Sequence, residues 1–196
     1  GFTHIDTGAM YRAVALHFIN LELDIENVDL ILSEMEKVEI SFSDNDFHTI
    51  LLNGKDVTNM IRDSVVDQKV SKVSALQIVR NKLVLQQRKL SKNRDIVIEG
   101  RDIGTRVFPN ADLKFFLTAD IEVRARRRFR ENLIKSNKTP FNQILNELIL
   151  RDEIDKNRKY SPLRIPDNAI ILDTSNLSFK EQVKEIIRHI LKKNKN

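Results

Sequence analysis

The sequence predicts an α/β fold in which parallel strands are flanked by helices and a small antiparallel unit is inserted. Short apolar segments alternate with amphipathic helical segments, a pattern that favours parallel strands joined by right-handed crossovers. Residues 95–98 hold three consecutive β-branched residues, which is typical of a strand buried on both faces. Residues 38–52 instead alternate with a period of two and lead into Asn53-Gly54, a strong hairpin signal.

The chain begins with a very short predicted strand at residues 2–5, followed directly by a helix that opens at residues 7–12. Asp6 or Thr7 can cap this helix, because both side chains can accept a hydrogen bond from a first-turn N–H group. The positive end of the helix dipole favours phosphate binding near its first turns. A second amphipathic helix is predicted at residues 27–37.

The antiparallel unit is predicted as strands at residues 38–42 and 47–52, separated by a turn at 43–46, with a brief third strand after Asn53-Gly54. Helices are predicted next at residues 67–74 and 77–89. Ser71 and Arg80 would face opposite ways on one straight helix, since nine residues make two and a half turns. A break between residues 74 and 77 would let both face one pocket.

The second half of the chain repeats the strand and helix alternation. The predicted elements are a strand at 112–117, a helix at 118–135 that carries five arginines, a helix from Pro140 to about residue 158, a strand at 168–172 and a closing helix. Thr139 is the expected N-cap of the helix that starts at Pro140. Ser178 and Glu181 have the spacing of a capping box at the start of the closing helix.

The most informative loop follows the apolar strand at residues 95–98. It contains Glu99, Gly100, Arg101 and Asp102. Ligands of open α/β sheets bind beyond the carboxyl ends of the strands, which is where these charges fall. The alternative is an ordinary loop in which Arg101 and Asp102 form a surface ion pair.

Composition limits the class of protein. A chain of 196 residues that is 41% hydrophobic with 10 Phe can bury a core, as one domain or as one domain with a small appendage. The absence of Cys removes disulfides and thiolate metal sites and fits a reducing compartment. No apolar stretch approaches the ~20 residues of a membrane span. The net charge of +5 suits an anionic partner, either nucleic acid or phosphorylated small molecules.

Three motifs occur in order at wide separations: DTGAMYRA at residues 6–13, EGRDIGT at 99–105 and RDEIDKNR at 151–158. With Ser71 and Arg80 between them, the chain resembles the bacterial cytidylate kinases, in the nucleoside monophosphate kinase group of P-loop kinases. The resemblance covers essentially the whole chain. It implies a P-loop kinase-type parallel sheet in a single domain over residues 1–196, with an NMP-binding insert region at 28–90 and a lid-like helical region at 124–158.

The resemblance also implies an activity, the ATP-dependent phosphorylation of CMP and dCMP, and a set of site residues. Arg12, Arg101 and Arg158 would hold the CMP phosphate and act in catalysis, with Tyr11 in support and Thr7 nearby. Arg151 and Asp155 would bind the sugar, helped by Ser71. Asp102, Arg80 and Ser71 would read cytosine, and Arg127 or Arg128 would contribute to a lid over ATP.

Phosphoryl transfer gives a chemical reason for these residue types. Two nucleotides bring several negative charges together, and catalysis consists mostly of positioning and charge stabilisation. Arginine matches phosphate bidentately and keeps its proton, so convergent arginines are expected. Two alternatives stay open on the residues alone: Arg151, Asp155 and Arg158 could be plain helix ion pairs, and Tyr11 could be a core aromatic.

The expected partners are CMP, dCMP and ATP, with Mg²⁺ arriving with ATP rather than in a protein cage. The four His show no ligand spacing, so no metal-binding residue is expected. A monomer in the cytoplasm, without a membrane or nucleic-acid partner, is expected. Arg106 stands where relatives more often have an apolar residue, which suggests a tolerated surface change.

The family's phosphate loop, GxxxxGK[ST], would precede Gly1. The chain as given is therefore expected to be N-terminally truncated, to bind CMP poorly and not to turn over ATP. The first, central strand of the family's sheet is then missing too. A gap of two strand spacings, ~10 Å, is expected between the strands at residues 95–98 and 112–117.

Other functions remain possible on sequence grounds. The chain could phosphorylate UMP or another small acceptor, although a change at Asp102 or Arg80 would then be expected. It could be a nucleic-acid-binding protein, which the arginine-rich helix alone supports. It could also be a non-catalytic remnant that still binds a nucleotide.

Overall fold

The computed structural model describes residues 1–43, 48–92, 94–134 and 138–193. It divides into two compact units, the first made of residues 1–108 and 154–164 and the second of residues 109–153 and 165–196. The α/β class with parallel strands, flanking helices and an antiparallel unit is confirmed. The expectation of one domain with regions at 28–90 and 124–158 stays a prediction. No described helix is both long and apolar enough to cross a membrane.

In the first unit, β1 (Thr3–Asp6) pairs in parallel with β5 (Ile96–Glu99). The helix α1 (Thr7–Asn20) follows β1 without a loop. Asp6 is the N-cap, because its Oδ1 accepts from the Ala9 N–H at 3.1 Å. One of the two predicted caps is thus confirmed, and α1 forms the centre of the core.

The prediction that the strand at residues 95–98 is buried on both faces is wrong. Ile96 and Ile98 pack against the core, but Val97 between them is 54% exposed. Successive side chains of a strand point to opposite faces, and the core lies against only one face of the β1–β5 ladder. A run of apolar residues cannot show by itself how many of its faces will be covered.

The antiparallel unit is confirmed as β2 (Ile40–Phe42), β3 (Ile50–Leu52) and β4 (Lys55–Asp56) in that spatial order. Asn53 and Gly54 both have positive φ, 49° and 77°, as the tight turn between β3 and β4 requires. The predicted turn and strand residues at 44–47 lie outside the described residues.

Helices complete the first unit. They are α2 (Val28–Lys37), a 3₁₀ turn (Met60–Arg62), α3 (Ser64–Ala75) and α4 (Gln77–Leu90). Leu76 separates α3 from α4 with an extended backbone, φ −68° and ψ 125°. The predicted break is therefore confirmed, and α3 and α4 both pack against α1.

The loop after β5 contains one π-helical turn, Ile103–Val107. The Phe108 N–H donates to the Ile103 carbonyl at 2.7 Å. Arg88 of α4 holds the turn, because it donates to the carbonyls of Arg106 and Val107 at 2.8 and 3.0 Å. Such turns are frequent at functional sites, and here the turn follows Arg101 and Asp102 directly.

The second unit contains β6 (Phe115–Thr118) paired in parallel with β7 (Ile170–Asp173), and the helices α5 (Ile121–Ile134) and α7 (Phe179–Lys193). It also holds most of α6 (Phe141–Asn157), whose residues from Ile154 onward belong to the first unit. Thr118 ends the strand and does not start α5, contrary to prediction. The capping box is confirmed: Ser178 Oγ accepts from the Glu181 N–H at 3.4 Å, and Glu181 accepts from the Ser178 N–H at 2.8 Å.

The four parallel strands lie in two ladders, β1–β5 and β6–β7. The expected gap of ~10 Å between the strands at residues 95–98 and 112–117 stays a prediction.

Candidate active site

Four elements of the first unit bring the predicted site residues together. The helix α1 supplies Tyr11, α4 supplies Arg80, the loop after β5 supplies Arg101 and Asp102, and the C-terminal end of α6 leads into Arg158. Together with Asp155, these six residues form what we call the arginine–carboxylate cluster. They come from distant parts of the sequence. Three direct ion pairs and an Arg–Tyr contact link them in two groups.

The first ion pair joins Arg80 to Asp102, whose side chains are 3% and 4% exposed. Arg80 Nη1 also donates to the Ser74 carbonyl at 2.8 Å, at the end of α3. Its guanidinium lies 5.1 Å from the centre of the Tyr11 ring, within the range of a cation–π contact. Removing either partner of such a buried pair leaves an uncompensated charge in the interior.

The second group centres on Asp155, which is 3% exposed. Its two carboxylate oxygens lie 3.1 Å from Arg101 Nε and 3.2 Å from Arg158 Nη1. Arg158 Nε also donates to the Ser161 carbonyl at 2.7 Å. Burial, followed by the positive charge of Arg80, lowers the pKa of Arg158. The fold therefore holds two buried cations close enough to repel each other.

Tyr11 lies beside both groups. Burial raises the pKa of its hydroxyl to about 12, and Asp102 adds to this effect while Arg80 and Arg158 oppose it. The hydroxyl therefore stays protonated at neutral pH and can donate a hydrogen bond. Gln87 is near enough to lower this pKa slightly, although no hydrogen bond of normal geometry joins the two side chains.

Several buried polar atoms near the cluster have no hydrogen-bond partner within the described residues. In the cluster they are the Tyr11 hydroxyl, Arg80 Nε and Arg158 Nη2, and the Gln87 amide is orphaned as well. Native structures pair almost all buried polar groups, so each exception needs an explanation. The three cluster atoms carry N–H or O–H protons, so an acceptor on a bound ligand would satisfy each of them.

Thr7 and Gly100 fix the geometry where α1 meets the end of β5. Thr7 is 2% exposed, and its Oγ1 donates to the Glu99 carbonyl at 2.6 Å. A Cβ added at Gly100 would overlap Thr7 Oγ1 and lie 3.0 Å from the Ile103 side chain. Glycine is therefore required at position 100, because the Thr7 side chain lies too close to leave room for a Cβ. The loop that carries Arg101 and Asp102 thus packs tightly on the start of α1.

Arg12 and Ser71 also belong to the first unit, and each contacts residues outside the cluster. Arg12 is 8% exposed, forms an ion pair with Asp67 of α3 and donates to the Ile61 carbonyl at 3.2 Å. The Ser71 carbonyl accepts from the Ser74 hydroxyl at 3.0 Å in the last turns of α3. The break at Leu76 separates the helices of Ser71 and Arg80, as predicted.

The remaining predicted residues belong to the second unit. Arg127 donates to Thr174 Oγ1 at 3.2 Å and to the carbonyls of Thr174 and Leu177 at 2.5 and 3.3 Å. Arg128 pairs with Glu131 at 3.8 Å. Arg151 is half-buried on α6, in the part of the helix that belongs to the second unit. The assignment of Arg127 and Arg128 to an ATP lid and of Arg151 to sugar binding stays a prediction.

Sequence reasoning missed two residues of this region, Asp67 and Gln87. Gln87 is 1% exposed and lies seven residues after Arg80, on the same face of α4. The sequence does contain a signal for Gln87: it is a polar residue at a position where helical periodicity requires an apolar one. Asp67 is recognised only from the fold, because its ion pair with Arg12 joins two residues that are 55 positions apart in the sequence.

A cavity of about 550 Å³ lies beyond the carboxyl ends of β1 and β5, with Asp6 and Glu99 among its lining residues. Its carboxylates have partners: Asp6 pairs with Arg62 at 3.2 Å, and Glu99 lies 3.0 Å from His4 Nε2. The arginine–carboxylate cluster, with its orphaned donors, is therefore the better candidate for an anion site. No group of three or more His, Cys, Asp or Glu that could hold a metal ion occurs among the described residues.

The comparisons with known proteins agree with one another. The family model described as "Cytidylate kinase" matches residues 1–192. The cytidylate kinase of Caldanaerobacter subterraneus subsp. tengcongensis is 43% identical over 195 residues, which cover 100% of this chain and 86% of the relative. The cytidylate kinase of Carboxydothermus hydrogenoformans is 44% identical, over 98% of this chain and 87% of the relative. The cytidylate kinase of Bacteroides thetaiotaomicron is 46% identical, over 93% of this chain and 82% of the relative.

Proposed function

This chain belongs to the cytidylate kinase family, whose reaction is the ATP-dependent phosphorylation of CMP and dCMP, and we propose that the arginine–carboxylate cluster holds the CMP acceptor. The observation that supports the assignment is the pair of orphaned buried donors on Tyr11 and Arg158. A phosphate offers only acceptors, and the surrounding guanidinium groups provide the opposite charge.

In this proposal Arg101 and Arg158 bind the CMP phosphate from two sides, and Asp155 orients them. Asp155 contacts both guanidinium groups, so it fixes their separation before substrate arrives. Preorganised cations of this kind stabilise transferring phosphate charge without reorganising during the reaction. Arg12, held by Asp67 and the Ile61 carbonyl, completes the set of arginines predicted for catalysis.

The base is assigned to the Arg80–Asp102 pair. A carboxylate accepts from the exocyclic N4 amine of cytosine, while an arginine donates to N3 and O2. Uracil carries an acceptor at position 4, which the Asp102 carboxylate would repel. Ser71 remains the proposed helper at the base and sugar, with Arg151 and Asp155 at the sugar.

ATP is the phosphoryl donor of this family. A CMP phosphate oxygen attacks the γ-phosphorus of ATP, the bond from that phosphorus to the bridging oxygen breaks, and CDP and ADP result. Mg²⁺, when it arrives with ATP, neutralises charge on the transferred group. We infer that Arg127 and Arg128 lie near ATP as lid residues, although Arg127 donates to main-chain carbonyls of its own unit.

The test is calorimetric titration of CMP, cytidine and UMP into the chain and into two variants. Arg101→Gln removes a phosphate contact from a side chain that is 46% exposed, so the fold should tolerate it. We expect CMP to bind about tenfold or more weakly to this variant while cytidine binding stays the same. The matched control is Lys180→Gln, which removes one cation on α7. Equal CMP affinity in the two variants would refute the proposal that the cluster binds the CMP phosphate.

The other functions considered are not favoured. The family match and the named relatives point to cytidylate as the acceptor, and neither Asp102 nor Arg80 is changed. A monomeric state, a cytoplasmic location and the absence of a nucleic-acid partner stay predictions from the sequence.

A further inference from the structure

A second feature of the first unit is a groove of about 340 Å³ between α4, the π-helical turn and the segment that follows Arg158. We call it the α4 groove. Its charged and amide lining residues are Gln77, Arg80, Asn81, Arg106, Lys159 and Arg164. With the exception of Arg80, none of them was assigned to the binding of CMP or ATP.

The charge of the groove is entirely of one sign. Its lining residues include no Asp or Glu. Within the part of the chain that the structure describes, Arg106, Lys159 and Arg164 form no ion pair with a carboxylate. Lys159 lies 5.5 Å from the Tyr160 ring, a contact that leaves its charge available. Three cations that face one cavity without counter-charges repel one another, and an anion would relieve this repulsion.

The backbone adds to this preference. The 14-residue helix α4 begins at Gln77, its N-cap Leu76 makes no side-chain capping bond, and its first turn has no acidic residue. Unsatisfied N–H groups and the helix dipole favour an anion there. Arg80 stands in the same turn, and although it is 97% buried, its Nε has no hydrogen-bond partner.

We propose that the α4 groove binds a phosphate chain, either free polyphosphate or the triphosphate of a nucleotide, at a site separate from that of the CMP phosphate. The volume lies at the lower end of small-molecule pockets, which suits a phosphate chain. Several linked phosphates match the three cations and the helix N-terminus better than one phosphate would. Arg80 is common to this groove and to the Arg80–Asp102 pair, so an occupied groove changes the affinity for the cytosine base.

The proposal goes beyond the proposed function, since it concerns a second anion and different side chains. The experiment titrates inorganic tripolyphosphate into the full chain by calorimetry, first without CMP and then with saturating CMP. The test variant is Arg106→Gln/Arg164→Gln. The control is Lys180→Gln/Lys192→Gln, which makes the same change in net charge on α7. A parallel titration with CTP in saturating CMP distinguishes the two sources of a phosphate chain.

We expect the Arg106/Arg164 variant to lose about tenfold or more in tripolyphosphate affinity, and the α7 control less than about twofold. In saturating CMP, tripolyphosphate should still bind, and the Arg106/Arg164 variant should still weaken its binding. If CTP binds more tightly than tripolyphosphate and is weakened by the same Arg106/Arg164 variant, the source of the phosphate chain is a nucleotide. If CTP and tripolyphosphate bind equally tightly, the source is free polyphosphate. Both outcomes support the site.

Three results would overturn the proposal. They are complete displacement of tripolyphosphate by CMP, an equal loss in both variants, and an unchanged affinity in the Arg106/Arg164 variant. A single-stranded RNA that binds more tightly than tripolyphosphate with the same variant dependence would also overturn it, because the groove would then be a nucleic-acid surface. A chain that does not bind CMP counts against the proposed function alone, since the titration without CMP still tests the groove.

Discussion

Asp102 provides the sharpest test of base selection. Its carboxylate is 4% exposed and is paired with Arg80, so it is both held in place and shielded from water. The substitution Asp102→Asn keeps the volume of the side chain but removes its negative charge. That charge is what favours cytosine, with its N4 amine, over uracil, which has an acceptor at position 4. We expect CMP to lose about 1–3 kcal/mol of preference over UMP, or roughly a 5- to 150-fold change in the ratio of kcat/KM values.

The assay is steady-state phosphorylation of CMP and UMP by an active form of the enzyme, with urea unfolding of the same preparations. Unfolding separates specificity from stability. Asp102→Ala leaves the Arg80 guanidinium buried without its partner and should cost about 3–5 kcal/mol in the free energy of unfolding. Asp102→Asn retains an acceptor for Arg80 and should cost less. A CMP to UMP ratio that is unchanged in a folded Asp102→Asn enzyme would refute the assignment of Asp102 to the base.

Three further predictions concern Tyr11, Gly100 and the substrate-induced closure of the first unit. Burial raises the pKa of Tyr11 to about 12, so between pH 10 and 12 the unfolded chain loses this proton while the folded chain keeps it. The free energy of unfolding should therefore fall across this range by up to about 1.4 kcal/mol per pH unit. Tyr11→Phe should flatten this decline in pH-dependent urea unfolding, and identical slopes would contradict it. Gly100→Ala should cost about 1–3 kcal/mol, measured in the same way, because its Cβ overlaps Thr7 Oγ1; a cost below about 0.5 kcal/mol would show that the loop shifts freely. Hydrogen exchange should show new protection at residues 60–85 when CMP binds, since phosphoryl transfer needs water excluded; protection confined to the loop after β5 and the end of α6 would contradict closure.

Local signals predicted local structure well. The Asn53-Gly54 turn, the Asp6 cap, the Ser178–Glu181 capping box and the break at Leu76 each depend on residues a few positions apart. Their energetics are settled by side-chain and backbone hydrogen bonds within one turn of chain. Tertiary packing has little power to change them, so the sequence alone is sufficient there.

Properties that depend on distant neighbours could not be predicted in the same way. Whether Val97 is covered depends on what packs on the second face of β5, and its β-branched side chain contains no information on that. The π-helical turn depends on Arg88 of α4, which holds the carbonyls of Arg106 and Val107. The composition of the candidate site was predicted by resemblance, whereas its pairing, with Asp155 between Arg101 and Arg158, required the fold.

The charge balance of the arginine–carboxylate cluster explains why these residues are costly to the fold and suited to a ligand. It contains three arginines and two carboxylates, and the lowered pKa of Arg158 shows that burial and Arg80 oppose its charge. An apolar replacement of such groups is often neutral or stabilising, so stability alone does not account for them. Binding of an anion supplies the missing negative charge and the missing acceptors together. In the proposed site, binding of the CMP phosphate would offset the repulsion between the arginines. The unfavourable free energy of holding them close in the fold would then contribute to the affinity for phosphate.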